Sequence, residues 1–244
     1  MQFDQEGHIL ISPRDLQKMA FDEPDNLINH WLLPGTPLAF ATGVHFTRFL
    51  DYLTDKTGIH PNQFVFRGST KVGFSISPNR KKKKTWQRLG PASDLDLAIV
   101  DPHFYETLDE QVRRYDRLPV NRVQILRYRT GSQYEQYRDR VDQKGRHDCY
   151  RFFDIPREIE CISALQQVLD WAPIAECCIH NFVDLKAFIF RDRWAVHRRY
   201  HTDIDDLRRG LTAGADPLPE APALAAIDSP VSSATANTGP SSSS

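Results

Sequence analysis

No apolar run in this chain approaches the ~20 residues that span a bilayer, so the sequence predicts no membrane helix. Cysteine is scarce: Cys149, Cys161, Cys177 and Cys178 are the only four. No pair has C-x-x-C spacing, which argues against a zinc site and against a disulfide framework. The ordinary reading is reduced thiols in a cytoplasmic protein. The opening MQFDQEGHIL has neither a basic n-region nor an apolar h-region, so no signal peptide is expected. No internal repeat is visible. Basic residues are missing altogether beyond Arg209, where the only charges are Asp216, Glu220 and Asp228. The formal net charge of −1 therefore hides a body of about +2. Such a body suits phosphate-bearing ligands without demanding them.

What is present reads as alternating helices and short strands. Ser12-Pro13 with Asp15 is a helix start, and that helix should run to about Phe21. Turn signals over 23–37 predict a loop with a short helix at 27–33. Phe46, Phe49, Leu50 and Leu53 predict a helix over 41–57, stopped by Gly58. Buried strands are expected at 63–66, 95–100 and 182–190. Helices are expected at 103–118, at 154–171 (apolar stripe Ile159, Ile162, Leu165, Leu169) and at 194–211. The chain then divides into a helical lead-in (1–58), a domain (59–212) with a helical, basic insert at about 103–171, and a tail (213–244). The tail is rich in Pro, Ala and Ser and is expected to be disordered.

The chemistry lies between the first two strands. Gly68-Ser69 ends one, and Ser93-Asp94-Leu95-Asp96-Leu97 begins the next. Carboxylates at i and i+2 of a strand share a face, ~6–7 Å apart along it. Two magnesium ions at ~3.5–4 Å can be shared by such a pair. Two adjacent carboxylates on a buried strand are costly without cations. Gly68 lets the backbone approach a ligand closely. The turn amides, the Ser69 hydroxyl and a following helix N-terminus can hold a triphosphate.

FRGSTKVGFS followed by SDLDLAIV resembles the GS…DxD signature of the DNA polymerase β-like nucleotidyltransferase superfamily. The resemblance is firm over about residues 60–105 and loose elsewhere. It implies an α+β fold: a small mixed sheet flanked by helices. It implies transfer of a nucleoside monophosphate from an NTP, such as ATP, to a hydroxyl acceptor, with two Mg²⁺ ions or Mn²⁺ in their place. Gly68 and Ser69 would bind the β- and γ-phosphates, Asp94 and Asp96 would ligate metal, and Lys71 or Lys186 would neutralise the triphosphate. RNA such as tRNA, protein and small molecules all serve as acceptors in this superfamily. Compact members act as bacterial toxins or in defence systems, where a protein partner or antitoxin is implied. The alternative is an inactive member that binds or regulates.

The family also needs a third carboxylate on a later strand. Asp184 is the choice, because it interrupts an apolar run and shares a face with Lys186. Glu158, Glu160 and Asp154 are lesser candidates with ordinary helix-surface or cap readings. One departure from minimal members is the long stretch from Ser69 to Asp94, with five Lys or Arg at 80–84. This is either a polyanion contact or a solvated loop. Residues 113–151 carry eleven Lys or Arg against five Asp or Glu, with Tyr115, Tyr128, Tyr134, Tyr137 and Tyr150 among them. Such a segment can hold an RNA acceptor by phosphate contacts and stacking, or form an amphipathic helical region with snorkelling arginines. His197 and His201, with Asp205 one turn on, have metal-ligand spacing, although a wet helix face explains them as well. Trp171 and Trp194 read as core or interface aromatics.

Overall fold

A computed structural model describes residues 2–76, 85–91, 93–117, 149–152, 155, 157–170, 174–178 and 185–213. The fold is α+β, with a four-stranded mixed sheet flanked by helices. In chain order come β1 (Gln2–Phe3) and β2 (Ile9–Leu10), then α1 (Pro13–Asp22), α2 (Pro24–Leu27) and a π-turn (Ile28–Leu32). Next are α3 (Gly43–Thr57), a 3₁₀ turn (Pro61–Gln63), β3 (Phe64–Phe66), α4 (Ser69–Val72), β4 (Leu95–Val100) and α5 (Pro102–Arg117). The last are β5 (Cys149–Arg151), α6 (Glu160–Asp170), α7 (Ile174–Cys177), β6 (Leu185–Phe190) and α8 (Arg193–Thr212).

Local chemistry explains most helix ends. Ser12 Oγ accepts from the Asp15 amide at 3.0 Å, and Pro13 occupies the first helical position of α1. Thr42 caps α3 at His45, and Gly58 ends it with φ 70°. Asp192 caps α8 through the Ala195 amide at 2.7 Å. Two boundaries differ from expectation. The sixth helix begins at Glu160 rather than near residue 154, after a turn at Arg157 and Glu158. A first-turn amide, that of Cys161, donates to Gln111 Oε1 of α5 at 3.0 Å. A tertiary partner thus does what a local cap was expected to do. The short helix expected at 27–33 starts earlier, with Pro24 at its first position, and continues as the π-turn. The β1–β2 hairpin and the three-residue strand β5 were not legible by periodicity, being too short to show a pattern.

The sheet order is β3-β4-β6-β5. β4 and β6 run parallel at its centre, and β3 and β5 flank them antiparallel. Period two sorts the central strands onto two cores. Leu95, Leu97, Ile99, Leu185, Ala187 and Ile189 meet α3, α5 and α6 on one face. Ala98, Val100 and Phe190 meet α1, the π-turn and α8 on the other. The lead-in thus contributes to both cores. Asp96 and Lys186 face one another in register on the α8 side, each partly buried. Among the described residues no helix is long and apolar enough to cross a membrane.

Candidate active site

The site is built where β3 hands over to α4 beside the start of β4. The Arg67 amide donates to the Asp96 carbonyl at 2.9 Å, the last rung of the β3–β4 ladder. Gly68 then turns with φ 60° and ψ −142°, a conformation that costs any L-residue. A Cβ at Gly68 would lie 3.1 Å from Asp96 Oδ2. The glycine is therefore needed twice, for the turn and for the approach of the carboxylate.

Thr70, which sequence reading passed over, ties the turn to the strand. It is fully buried. Its Oγ1 accepts from the Asp96 amide at 3.2 Å and donates to the Asp94 carbonyl at 3.4 Å. One hydroxyl thus brackets both acids from the backbone side. The backbones of Asp94 and Asp96 are thereby tied to the turn, and each side chain is only partly buried. Lys186 Nζ donates to Asp94 Oδ2 at 2.5 Å. An ammonium already faces the acidic pair, so the position accepts a cation. Carboxylate oxygens are the donor set that hard dications such as Mg²⁺ or Mn²⁺ favour.

Four sequence expectations meet a different setting. Lys71 does not reach the open side of the turn: it is buried, and its Nζ donates to the Gly35 carbonyl at 2.5 Å. Burial brings its pKa down to about 7. The helix after Ser69 is a single turn of four residues, so its dipole offers a phosphate little. The amides of Ser69 and Thr70, as first-turn groups, still have no intrahelical partner. Glu158 and Glu160 are exposed beside α6, on the opposite face of the sheet from Asp96. Trp194 is 62% exposed, which removes the core alternative of its core-or-interface reading.

Beneath the acids lies a second unforeseen feature. Arg67 is buried, pairs with Asp203 of α8 at 2.7 Å, and lies 5.2–5.4 Å from the rings of Phe188, Phe190 and Tyr200. Burial is the largest influence and opposes its charge, yet Asp203, Tyr200, Cys149 and Asp96 together outweigh it, so the guanidinium is held above its ordinary value. Arg199 reaches the other Asp203 oxygen at 2.9 Å. A fixed positive charge thus acts on Asp96 from inside the fold. The signal was present in the sequence, an arginine directly before Gly68, but its partner lies 136 residues away.

The lysine-rich stretch leaves from a closed stem. Ser75 and Trp86 exchange backbone bonds with Gln87 and Ser75, the Leu89 amide donates to Gly73, and the Phe74 and Trp86 rings pack at 5.8 Å. The lysines at 81–84 lie outside the described residues, as do Asp154, Asp184, 118–148 and the tail from 214. Of the tyrosines in 113–151, Tyr115 and Tyr150 are core residues, and the Tyr150 hydroxyl donates to Asp109 at 2.5 Å. The four cysteines are free thiols, and burial pushes Cys149 up to about 12. A scan of protein-family models and searches of curated proteins and of solved structures found no match to this chain.

Proposed function

We propose that this chain is a metal-dependent nucleotidyltransferase that moves a nucleoside monophosphate from an NTP to a hydroxyl acceptor. One observation carries the reading: the Asp94–Asp96 pair starts an inner strand against a glycine turn whose Cβ would meet a carboxylate at 3.1 Å. That arrangement brings paired acids and an approachable backbone to the same point, as phosphoryl transfer requires.

In the proposed reaction the acceptor oxygen attacks the α-phosphorus. A P–O bond forms, the bond to the bridging oxygen breaks, and pyrophosphate leaves with the electron pair. Asp94 and Asp96 would hold two Mg²⁺ ions, or Mn²⁺. When bound, such ions neutralise the triphosphate and favour ionisation of the attacking hydroxyl. Asp184 is proposed as the third carboxylate, taking the hydroxyl proton. Gly68 admits the phosphates close to the backbone, and the Ser69 hydroxyl and the Ser69 and Thr70 amides donate to them. Lys186 exchanges Asp94 for a phosphate oxygen. Lys71 drops out of the triphosphate set and becomes a support beneath the turn.

The acceptor is proposed to be RNA, such as tRNA, held by the basic stretch within 113–151, with protein and small molecules as the other classes. A toxin or defence role, with an antitoxin-like partner, rests on the signature alone. The test is incubation with each labelled NTP, Mg²⁺ and total cell extract. Label in RNA supports the acceptor class, and no label with any NTP overturns the activity. For RNA, replacing Arg127, Arg129, Arg138 and Arg140 together should weaken tRNA binding and flatten its salt dependence. One observation favours an inactive binding protein instead: Lys186 already neutralises Asp94. Label transfer that Asp94→Asn abolishes excludes that alternative.

A further inference from the structure

The paired histidines of α8 acquire a partner that the sequence did not point to. Asp205, one turn on, is engaged by Arg208 at 3.2 Å. Asp25 of α2 comes instead, from 176 residues away. Its Oδ1 lies 3.0 Å from His201 Nε2 and 3.6 Å from His197 Nε2, so a single oxygen serves both rings. One ligand atom from each of the three residues lies within 4.8 Å of the others. Tetrahedral bonds of ~2.0–2.1 Å set ligand atoms ~3.3–3.5 Å apart, which the two observed separations bracket.

The rings are held for this geometry. Trp194 stacks on His197 at 5.4 Å with 11° between planes, and the two imidazole centroids are 4.8 Å apart. The Nδ1 of His197 is buried with no hydrogen-bond partner among the described residues. Nε2 is therefore the only nitrogen of that ring that meets a polar group. Helical i,i+4 spacing supplies both nitrogens from one face, and Asp25 closes the third side from a different segment.

We propose that Asp25, His197 and His201 form a second metal site, for a transition dication such as Zn²⁺, that fastens the N-terminal segment to α8. Two imidazoles and one carboxylate favour Zn²⁺, Co²⁺ or Ni²⁺ over Mg²⁺. The site is separate from Asp94 and Asp96 in residues and in ligand chemistry. The ion takes the place of the proton between His201 and Asp25; that proton moves to Nδ1 of the His201 ring or, from the imidazolium, to solvent, and a fourth position is left for water. Because the unfolded chain does not assemble these ligands, binding stabilises the native state.

The test uses the full chain, free of any affinity tag and stripped with chelator, in buffer containing excess Mg²⁺. Co²⁺ is titrated and its visible absorption recorded, and melts are measured with and without Zn²⁺. Expected are one tetrahedral Co²⁺ per chain and a raised Tm with Zn²⁺. Asp25→Ala, at an exposed position, and His201→Gln, at a partly exposed one, should each weaken binding at least about tenfold and cancel the Tm rise, with metal-free melts near wild type. Asp94→Asn should keep both signals. The proposal is overturned if wild type shows neither signal. It is equally overturned if Asp25→Ala and His201→Gln bind as wild type does, since the ion then sits elsewhere, such as at Cys177 and Cys178.

Discussion

Lys71 and Lys186 are the same residue type on opposite sides of one turn, and their surroundings separate their roles. Lys186 stands partly exposed near the start of β6 and neutralises Asp94 directly. Lys71 is sealed under Gly68–Val72 and donates to the Gly35 carbonyl. In the sequence both stood as cations for the triphosphate, Lys71 within the GS…DxD signature and Lys186 on the later strand. What separates them is the length of α4. Within one helical turn after Gly68, the third residue swings to the inner side, while register with Asp96 holds Lys186 on the outer one. Proximity in sequence to a phosphate motif does not make a phosphate ligand.

The acids give the largest expected effect. Asp94→Asn and Asp96→Asn should each lower label transfer by more than about a hundredfold, because each removes a ligand of the ions proposed to neutralise the reacting phosphates. Their stabilities should differ, which sharpens the contrast between the lysines. Asp94→Asn leaves Lys186 without its partner at a partly exposed position, a loss of up to about 1 kcal/mol. Asp96→Asn keeps that pair. Activity assays with chemical-denaturation curves check this. Full activity in either variant would remove the metal assignment.

Next comes the turn between the two lysines. Gly68→Ala must hold φ near 60° and fit a methyl 3.1 Å from Asp96 Oδ2. The strain should cost about 1–3 kcal/mol and displace Asp96, so stability and transfer should both fall. A variant that melts like wild type and keeps its rate would show that the turn is not held as described.

Much of this was readable in the residues, and the remainder was not for identifiable reasons. Strand 95–100, the cap at Ser12 and the Gly58 stop follow from short-range rules. Thr70, Arg67 with Asp203, and Asp25 with His197 and His201 each depend on a partner supplied by the fold. No spacing announces a hydroxyl that brackets two acids from the next strand, or an aspartate brought from 176 residues away. The start of α6 was misread for the same reason, since Gln111 of a different helix satisfies its first turn. Asp184 remains a sequence choice because it lies outside the described residues.

Substituting the lysines themselves should give intermediate effects on binding. Lys186→Gln removes a charge beside the proposed triphosphate and should raise KM for NTP about tenfold, the worth of one charge-assisted hydrogen bond. Lys71→Met should leave KM within about twofold of wild type, since its ammonium faces a carbonyl on the inner side. Steady-state kinetics on both variants decide the matter. Equal rises in KM would erase the distinction between an outer and an inner lysine.

The smallest expected effect is a pH slope that belongs to Lys71 alone. Its folded-state pKa is brought from 10.5 down to about 7 by burial. Between those values the unfolded chain holds a proton at Lys71 that the folded chain has released. Stability must then rise with pH across that window, because the unfolded state binds more protons there. Below pH about 7 both states are protonated, and the full penalty of burying the charge is felt. Lys71→Met has no titrating group, so its stability relative to wild type should be greatest at the acid end and should decline as pH rises through the window. The Gly35 carbonyl left without its donor subtracts a roughly constant amount and does not alter that slope. Lys186→Gln serves as the control, since Lys186 is a half-exposed lysine at the rim. Paired melts of the three proteins from pH 6 to 10 measure the slopes, with about 7 as the expected onset. Parallel curves for wild type and Lys71→Met would mean that Lys71 keeps its proton and that the space under the turn is wetter than its burial implies.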